Sequence, residues 1–333
     1  IDYTGGVGHW LFEPQSTNSF PNSEDYTVFS PASNGTGINP VITSNYSVSP
    51  DGTQNADRIQ FNRGSGTSSI DTSYVTYGLS LGTIDSTLSI YLKTNDGTTK
   101  DVTLRLGASL FDYDVTVTSN WQRFTLSGNT SVDRIQILLY GNQNSQTADI
   151  SCYGTQIEQG SYATSYIPTS GSTVTRLQDS AFGAGSSDLI NSTEGVLYAE
   201  IAVLADDSTL KSLCLSDGTS ANRVIINYSN QSNRLTVDVR VGAVGQAFMQ
   251  TYSYTITNFL KIGLKYKEND FALWVNGTEV ATDSSGSTFS ANTLNKLSLD
   301  NGAGAEDFFG KTKCVAVFKE ALTDAELTCL TTI

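Results

Sequence analysis

The chain has one histidine, one methionine and six prolines in 333 residues, and only 16% of its residues are charged. A single imidazole, on His9, removes most metal centres and most acid–base mechanisms of that kind, which need a ring nitrogen at the reacting atom. Basic residues are also few. Against 33 Asp and Glu stand 19 Lys and Arg, and a net charge of −14 repels phosphate backbones, so nucleic acid is not an expected partner. No apolar run approaches the roughly 20 residues that would cross a bilayer as a helix, so a soluble chain without membrane insertion is expected. The four cysteines, Cys152, Cys214, Cys314 and Cys329, include no C-x-x-C pair and resemble neither a zinc knuckle nor a redox motif. They read as free thiols, with Cys214 and Cys314 as small buried hydrophobes in strand-like runs.

Helix-period stretches are nearly absent, and short alternating runs of Val, Ile, Thr and Tyr between Gly, Asn, Asp and Ser turns take their place. Thr87 to Lys93 alternates strictly, placing Leu88, Ile90 and Leu92 on one face. The turn signal Asn95-Asp96-Gly97 predicts a hairpin with Val102 to Leu106. Further strands are predicted at Trp121 to Leu126, Arg134 to Tyr140 and Ile150 to Glu158, with Trp121 as a core residue. After Pro168 the pattern dissolves into Ser- and Gly-rich sequence, and alternation restarts near Gly195. Asn276-Gly277, following Phe271 to Val275, is the strongest hairpin signal, and Thr323 with Glu326 forms a capping box for one short helix. The expected fold is all-β: a jelly roll over residues 1–168, a linker over 169–187, and a second antiparallel β-sandwich over 188–333 closed by that helix. The opening Ile1-Asp2-Tyr3 reads as the middle of a structured segment, so an upstream region is expected.

Particular motifs go further. Asp2-Tyr3-Thr4-Gly5-Gly6, Leu11 to Asn18, Ser49 to Asp57, Asn120 to Phe124 and above all Gln156-Ile157-Glu158-Gln159-Gly160-Ser161-Tyr162-Ala163-Thr164-Ser165-Tyr166-Ile167-Pro168-Thr169 resemble a recurrent region of bacteriophage and prophage tail or fibre proteins. In that family the region leads into a carbohydrate-binding-module-like jelly roll. Glu194-Gly195, Leu215 to Thr219, Lys261 to Tyr266, Trp274 to Gly277 and Ala321 to Leu327 resemble the concanavalin A-like, laminin G-like sandwich that often follows it. The resemblance covers almost the whole chain. It implies a virion component at the tail or a fibre, assembled in the bacterial host cytoplasm and frequently a trimer. Such a component displays lectin-like domains to the cell surface for receptor binding and host attachment. Its partners would be host polysaccharide or glycoprotein glycan and other virion proteins.

Glycan binding needs aromatic faces for the apolar side of a sugar ring, and amides, carboxylates or Arg for its hydroxyls. The 16 Tyr, 14 Phe and 3 Trp can supply the first. Tyr91, Lys93 and Arg105 would share the outer face of the predicted hairpin as a platform, or serve as ordinary cross-strand partners. Tyr74, Tyr77, Phe111 and Tyr113 fall in loop-like stretches, where an aromatic lacks a packing role. Trp274 either faces solvent or lines the sheet's other layer. Asp217, Asn222 and Asn276 lie at turns; oxygen ligands would suit a structural Ca2+, with Asp217 and Asn222 as its candidates, although Asp-Gly and Asn-Gly are also plain turn chemistry. No cofactor is otherwise expected. A glycosidase would need paired carboxylates at strand spacing, and no Glu-x-Asp-x-x-Glu run, phosphate loop or serine elbow is present. The expected function is non-catalytic glycan binding, with a ligand-free structural module and a polysaccharide-degrading enzyme as alternatives.

Overall fold

Alternation of apolar and polar residues dictates strands, and in the computed structural model, which describes residues 8–107 and 111–333, the regular structure is almost entirely strand. In chain order they are β1 (Trp10–Phe12), β2 (Ser16–Asn18), β3 (Ser30–Asn34), β4 (Ile38–Ser47), β5 (Ala56–Asn62), β6 (Thr72–Gly78), β7 (Thr83–Thr94), β8 (Lys100–Leu106), β9 (Phe111–Val117), β10 (Gln122–Ser131), β11 (Arg134–Tyr140), β12 (Thr147–Gln159) and β13 (Val174–Arg176). There follow β14 (Glu194–Val203), β15 (Lys211–Ser216), β16 (Arg223–Tyr228), β17 (Leu235–Val241), β18 (Val244–Thr251), β19 (Leu260–Lys267), β20 (Phe271–Val275), β21 (Thr278–Asp283), β22 (Lys296–Ser298), β23 (Gly310–Phe318) and the helix α1 (Asp324–Thr331). They belong to two units, residues 15–177 on the one hand and residues 178–333 with the segment ending at Pro14 on the other.

The unit of residues 15–177 is a jelly-roll sandwich of two five-stranded antiparallel sheets, ordered β10-β7-β12-β5-β4 and β3-β6-β11-β8-β9. Leu88, Ile90 and Leu92 of β7 meet Leu104, Val75 and Ile137 of the other sheet in one buried core. The hairpin predicted between β7 and β8 does not form. β7 pairs with β10 and β12, while β8 pairs with β11 and β9, so Asn95 to Gly97 carries the chain from one sheet to the other. Alternation states which face a side chain takes but not which strand lies alongside.

The long run from Gln156 to Thr169 closes this sandwich. Asn18 donates through Nδ2 to the carbonyls of Thr155 (3.2 Å) and Ile167 (2.9 Å) and accepts from the Ile157 amide at 3.1 Å. Glu158, only 1% exposed, accepts from the Ser16 hydroxyl (2.5 Å), the Thr164 amide (3.0 Å) and the Thr164 hydroxyl. Buried polar groups persist only when so satisfied, and here they fasten residues 160–169 to the strand that opens the unit.

The second unit packs a six-stranded sheet, β1-β23-β14-β19-β20-β21, on a five-stranded one, β18-β17-β16-β15-β22. Leu197, Ile201, Leu264 and Leu273 face Leu213, Val224 and Val237 across its core. Asn276 (φ 51°) and Gly277 (φ 82°) form the expected turn between β20 and β21. Thr323 caps α1 in the expected reciprocal box with Glu326. The units divide the chain differently from the boundaries expected. Residues 8–14, assigned above to the jelly roll, contribute β1, which pairs with β23, and residues 174–176, assigned to the linker, pair with β2. Three-residue strands are too short to show a period in sequence.

Candidate functional site

Two of the residues singled out in sequence meet on one surface. Core-facing Val75, Ile137 and Leu104 stand opposite one another on β6, β11 and β8, so their neighbours Tyr74, Gln136, Leu138 and Arg105 turn to the outside of that sheet. There they line a groove of about 460 Å3 together with Asn34, Ile70, Thr72, Arg134 and Tyr140. Its floor is Leu138, 3% exposed although it lies on the face away from the core. Ile70, 68% exposed, stands at its side.

The polar side is held rigidly. Arg105 donates through Nε and Nη2 to the two oxygens of Asp112 at 2.5 and 2.7 Å, and through Nη1 to Gln136 Oε1 at 3.1 Å. Its Nη2 also meets the Tyr140 hydroxyl, which donates to Asp112 Oδ2 at 3.2 Å. Tyr140 is further fixed by its amide, which donates to Gln143 Oε1 at 2.7 Å. The Asp112 carboxylate raises the pKa of Arg105 above its ordinary value. Burial raises that of the Tyr140 phenol, Arg105 opposing and Asp112 reinforcing, so the phenol stays a hydroxyl. Asn34 Nδ2 donates to the Thr72 hydroxyl at 3.1 Å on the opposite side. The result is two tyrosines and an aliphatic floor bordered by preoriented donors and acceptors. Such a surface can stack a ring and hydrogen-bond its hydroxyls.

The other candidates are scattered. Tyr91 and Lys93 do lie on an outer face, but of the opposite sheet, because β7 and β8 are not partners. Tyr77 is in a strand, not a loop, and packs in the core against Phe20 (4.9 Å) and Phe29 (5.7 Å between ring centroids). Tyr113 also belongs to a strand, the edge strand β9, where it shares the core-facing register of Val115 yet is 49% exposed. Phe111 begins the same strand, and its side chain lies outside the described residues. Trp274 is 6% exposed and packed with Val196, Ala272 and Leu327 of α1, so it is no contact for a ligand. Asp217 and Asn222 do come together: Asn222 Nδ2 donates to Asp217 Oδ2 at 2.8 Å. Asp217 Oδ1 accepts from the Thr219 amide and hydroxyl, and Asn222 Oδ1 from the Gly242 amide, so both serve turns. Among the described residues no group of three or more His, Cys, Asp or Glu could hold a metal ion.

Two further expectations are corrected. Trp121 is not in the core but half-buried on the outer face, donating from Nε1 to the Val48 carbonyl at 3.0 Å. Cys314 is exposed, because it sits opposite the outward Glu200 at a bulge between β14 and β23. Sequence reasoning missed Tyr140, Gln136 and Asn34. The first two were available, since Ile135, Ile137 and Leu139 claim the inner face of β11 and leave Gln136 and Tyr140 outside.

No family model matches the chain, and no curated protein matches it. Solved structures do align with it. The CBM40 of the Ruminococcus gnavus IT-sialidase, solved bound to α2,3-sialyllactose, is 17% identical and aligns over 45% of this chain and 94% of its own, with a TM-score of 0.37. A heptameric SAP-like pentraxin from Limulus polyphemus is 13% identical over 44% of this chain and 72% of its own, TM-score 0.36. Domains LG4-5 of the mouse laminin α1 chain are 9% identical over 78% and 89%, TM-score 0.30. At these scores none of them assigns a function to this chain.

Proposed function

We propose that this protein is a non-catalytic glycan-binding module, and that the groove between Tyr74 and Tyr140 is where the sugar lies. The observation that carries the reading is the pairing of two tyrosines and the Leu138 floor with the fixed Arg105, Gln136 and Asn34 edge in one open groove. Apolar faces beside preoriented hydrogen-bond groups are what a pyranose offers in mirror image. Asp112, the carboxylate beside the groove, is engaged by Nε and Nη2 of Arg105, whereas cleaving a glycosidic bond takes two carboxylates facing each other across the sugar. The sequence resemblance supports a finer setting: a virion tail or fibre component contacting host surface glycan during attachment, each site weak and several copies, as in a trimer, supplying avidity.

The test is a glycan array followed by NMR titration of the best neutral oligosaccharide. Tyr74→Ala is expected to weaken binding at least about tenfold, the loss of one ring contact worth about 1.4 kcal/mol or more, with the circular dichroism unchanged. No binding to any sugar at millimolar concentration, even from a multimerised chain, would leave the protein as a ligand-free structural module.

A further inference from the structure

The opposite sheet of the jelly roll presents a second surface with a different chemistry. On its outer face Lys93 Nζ lies 5.0 Å from the centroid of the Trp121 ring, and the Arg123 guanidinium lies 5.5 Å from that of Tyr91. Arg123 pairs directly with Tyr91 across β10 and β7, so Lys93, two residues further along β7 on the same face, is its diagonal neighbour at roughly 7–8 Å.

The charges on this face are not balanced alike. Arg58 is engaged by Asp149, with Nε donating to Oδ1 at 2.8 Å. Glu24 and Asp51 receive the Tyr153 hydroxyl at 3.2 and 2.8 Å, and Glu24 receives that of Tyr166 at 3.0 Å. Among the described residues neither Lys93 nor Arg123 forms an ion pair. Arg123 donates through Nη2 to the Ser89 hydroxyl at 2.8 Å, while its Nε is enclosed with no partner. In a chain of 33 acidic and 19 basic residues, these are two adjacent cations that lean on aromatic rings with no carboxylate of the described residues at ion-pair distance.

We infer that this face binds a saccharide carrying an anionic group, carboxylate or phosphate, which enters between Lys93 and Arg123. The guanidinium and the ammonium supply two positive charges that no carboxylate among the described residues pairs with, and the anion answers both. The chain's overall negative charge disfavours indiscriminate binding of polyanions and leaves contact to this one spot. The inference goes beyond the groove described above, since neither cation lines it.

Calorimetric titration with trigalacturonate, its methyl ester and glucose 6-phosphate separates the alternatives. Trigalacturonate, glucose 6-phosphate or both are expected to bind, identifying carboxylate or phosphate as the group read. The ester is expected to bind at least about tenfold more weakly than the free acid, and affinity should fall as NaCl is raised. Lys93→Glu, on the outer face of β7 and with its folding checked by unchanged circular dichroism, is expected to abolish the anion-dependent part, and Tyr74→Ala to leave it intact. The proposal is overturned if the acid and its ester bind alike, if neither anion binds, or if Lys93→Glu changes nothing. Loss of anion binding in Tyr74→Ala alone would move that binding to the groove and overturn this site while sparing the glycan reading.

Discussion

Asp149 shows how one residue on an outer strand face acquires a structural task. Burial works against its charge, but hydrogen bonds from Arg58 and from Asn95 (2.8 Å) overcome this and hold the carboxyl below its usual value. A folded pKa below the unfolded value of about 3.9 means that the stabilisation is present above that pH and is lost as pH falls through the folded value. Urea midpoints measured from pH 6 to pH 2.5 should therefore fall on the acid side. In Asp149→Asn that dependence should flatten, while the protein becomes less stable at pH 6. At this scale the sequence was a partial guide. Arg105 was legible because strand parity places it outward, whereas Tyr74 was singled out from a loop-like composition and lies instead in the strand β6. Tyr77 and Trp274 were not legible, because a loop-like composition or an outward parity does not reveal what packs over a side chain.

Among the elements, α1 has the clearest link between local sequence and packing. Thr323 accepts from the Glu326 amide at 3.4 Å, Glu326 Oε2 accepts from the Thr323 amide at 2.8 Å, and the helix so started lays Leu327 on Trp274. Removing the cap with Thr323→Ala is expected to cost about 1 kcal/mol, read as a lower urea midpoint for the second sandwich. Trp274 emission should shift to the red before the β-sheet circular dichroism is lost. No change in either would mean that the cap does not hold the helix on the sheet. The hairpin through Asn276 and Gly277 was equally legible, since both residues take positive φ in a two-residue turn. The Asn95-Asp96-Gly97 turn carried a similar signal and joins strands of different sheets, because a turn sequence sets local backbone direction and leaves the choice of partner to the rest of the core.

At the scale of the whole molecule the two units have separate hydrophobic clusters. Each is large enough to fold cooperatively, so calorimetry is expected to resolve two unfolding transitions, and residues 15–177 expressed alone should retain the lower or the upper of them. A single transition, with the fragment unfolded, would contradict this. By itself the sequence determined that the chain is all-β, that it has two sandwiches and one capped helix, and which residues of most strands face inward, because these follow from the two-residue period and from turn and cap chemistry local to a few positions. Only the tertiary structure decided that β7 and β8 lie in opposite sheets, that β1 belongs with β23, and hence that Arg105 joins Tyr74 and Tyr140 while Lys93 joins Trp121 and Arg123. Strand pairing is settled by contacts far apart in the chain, and no local pattern encodes them.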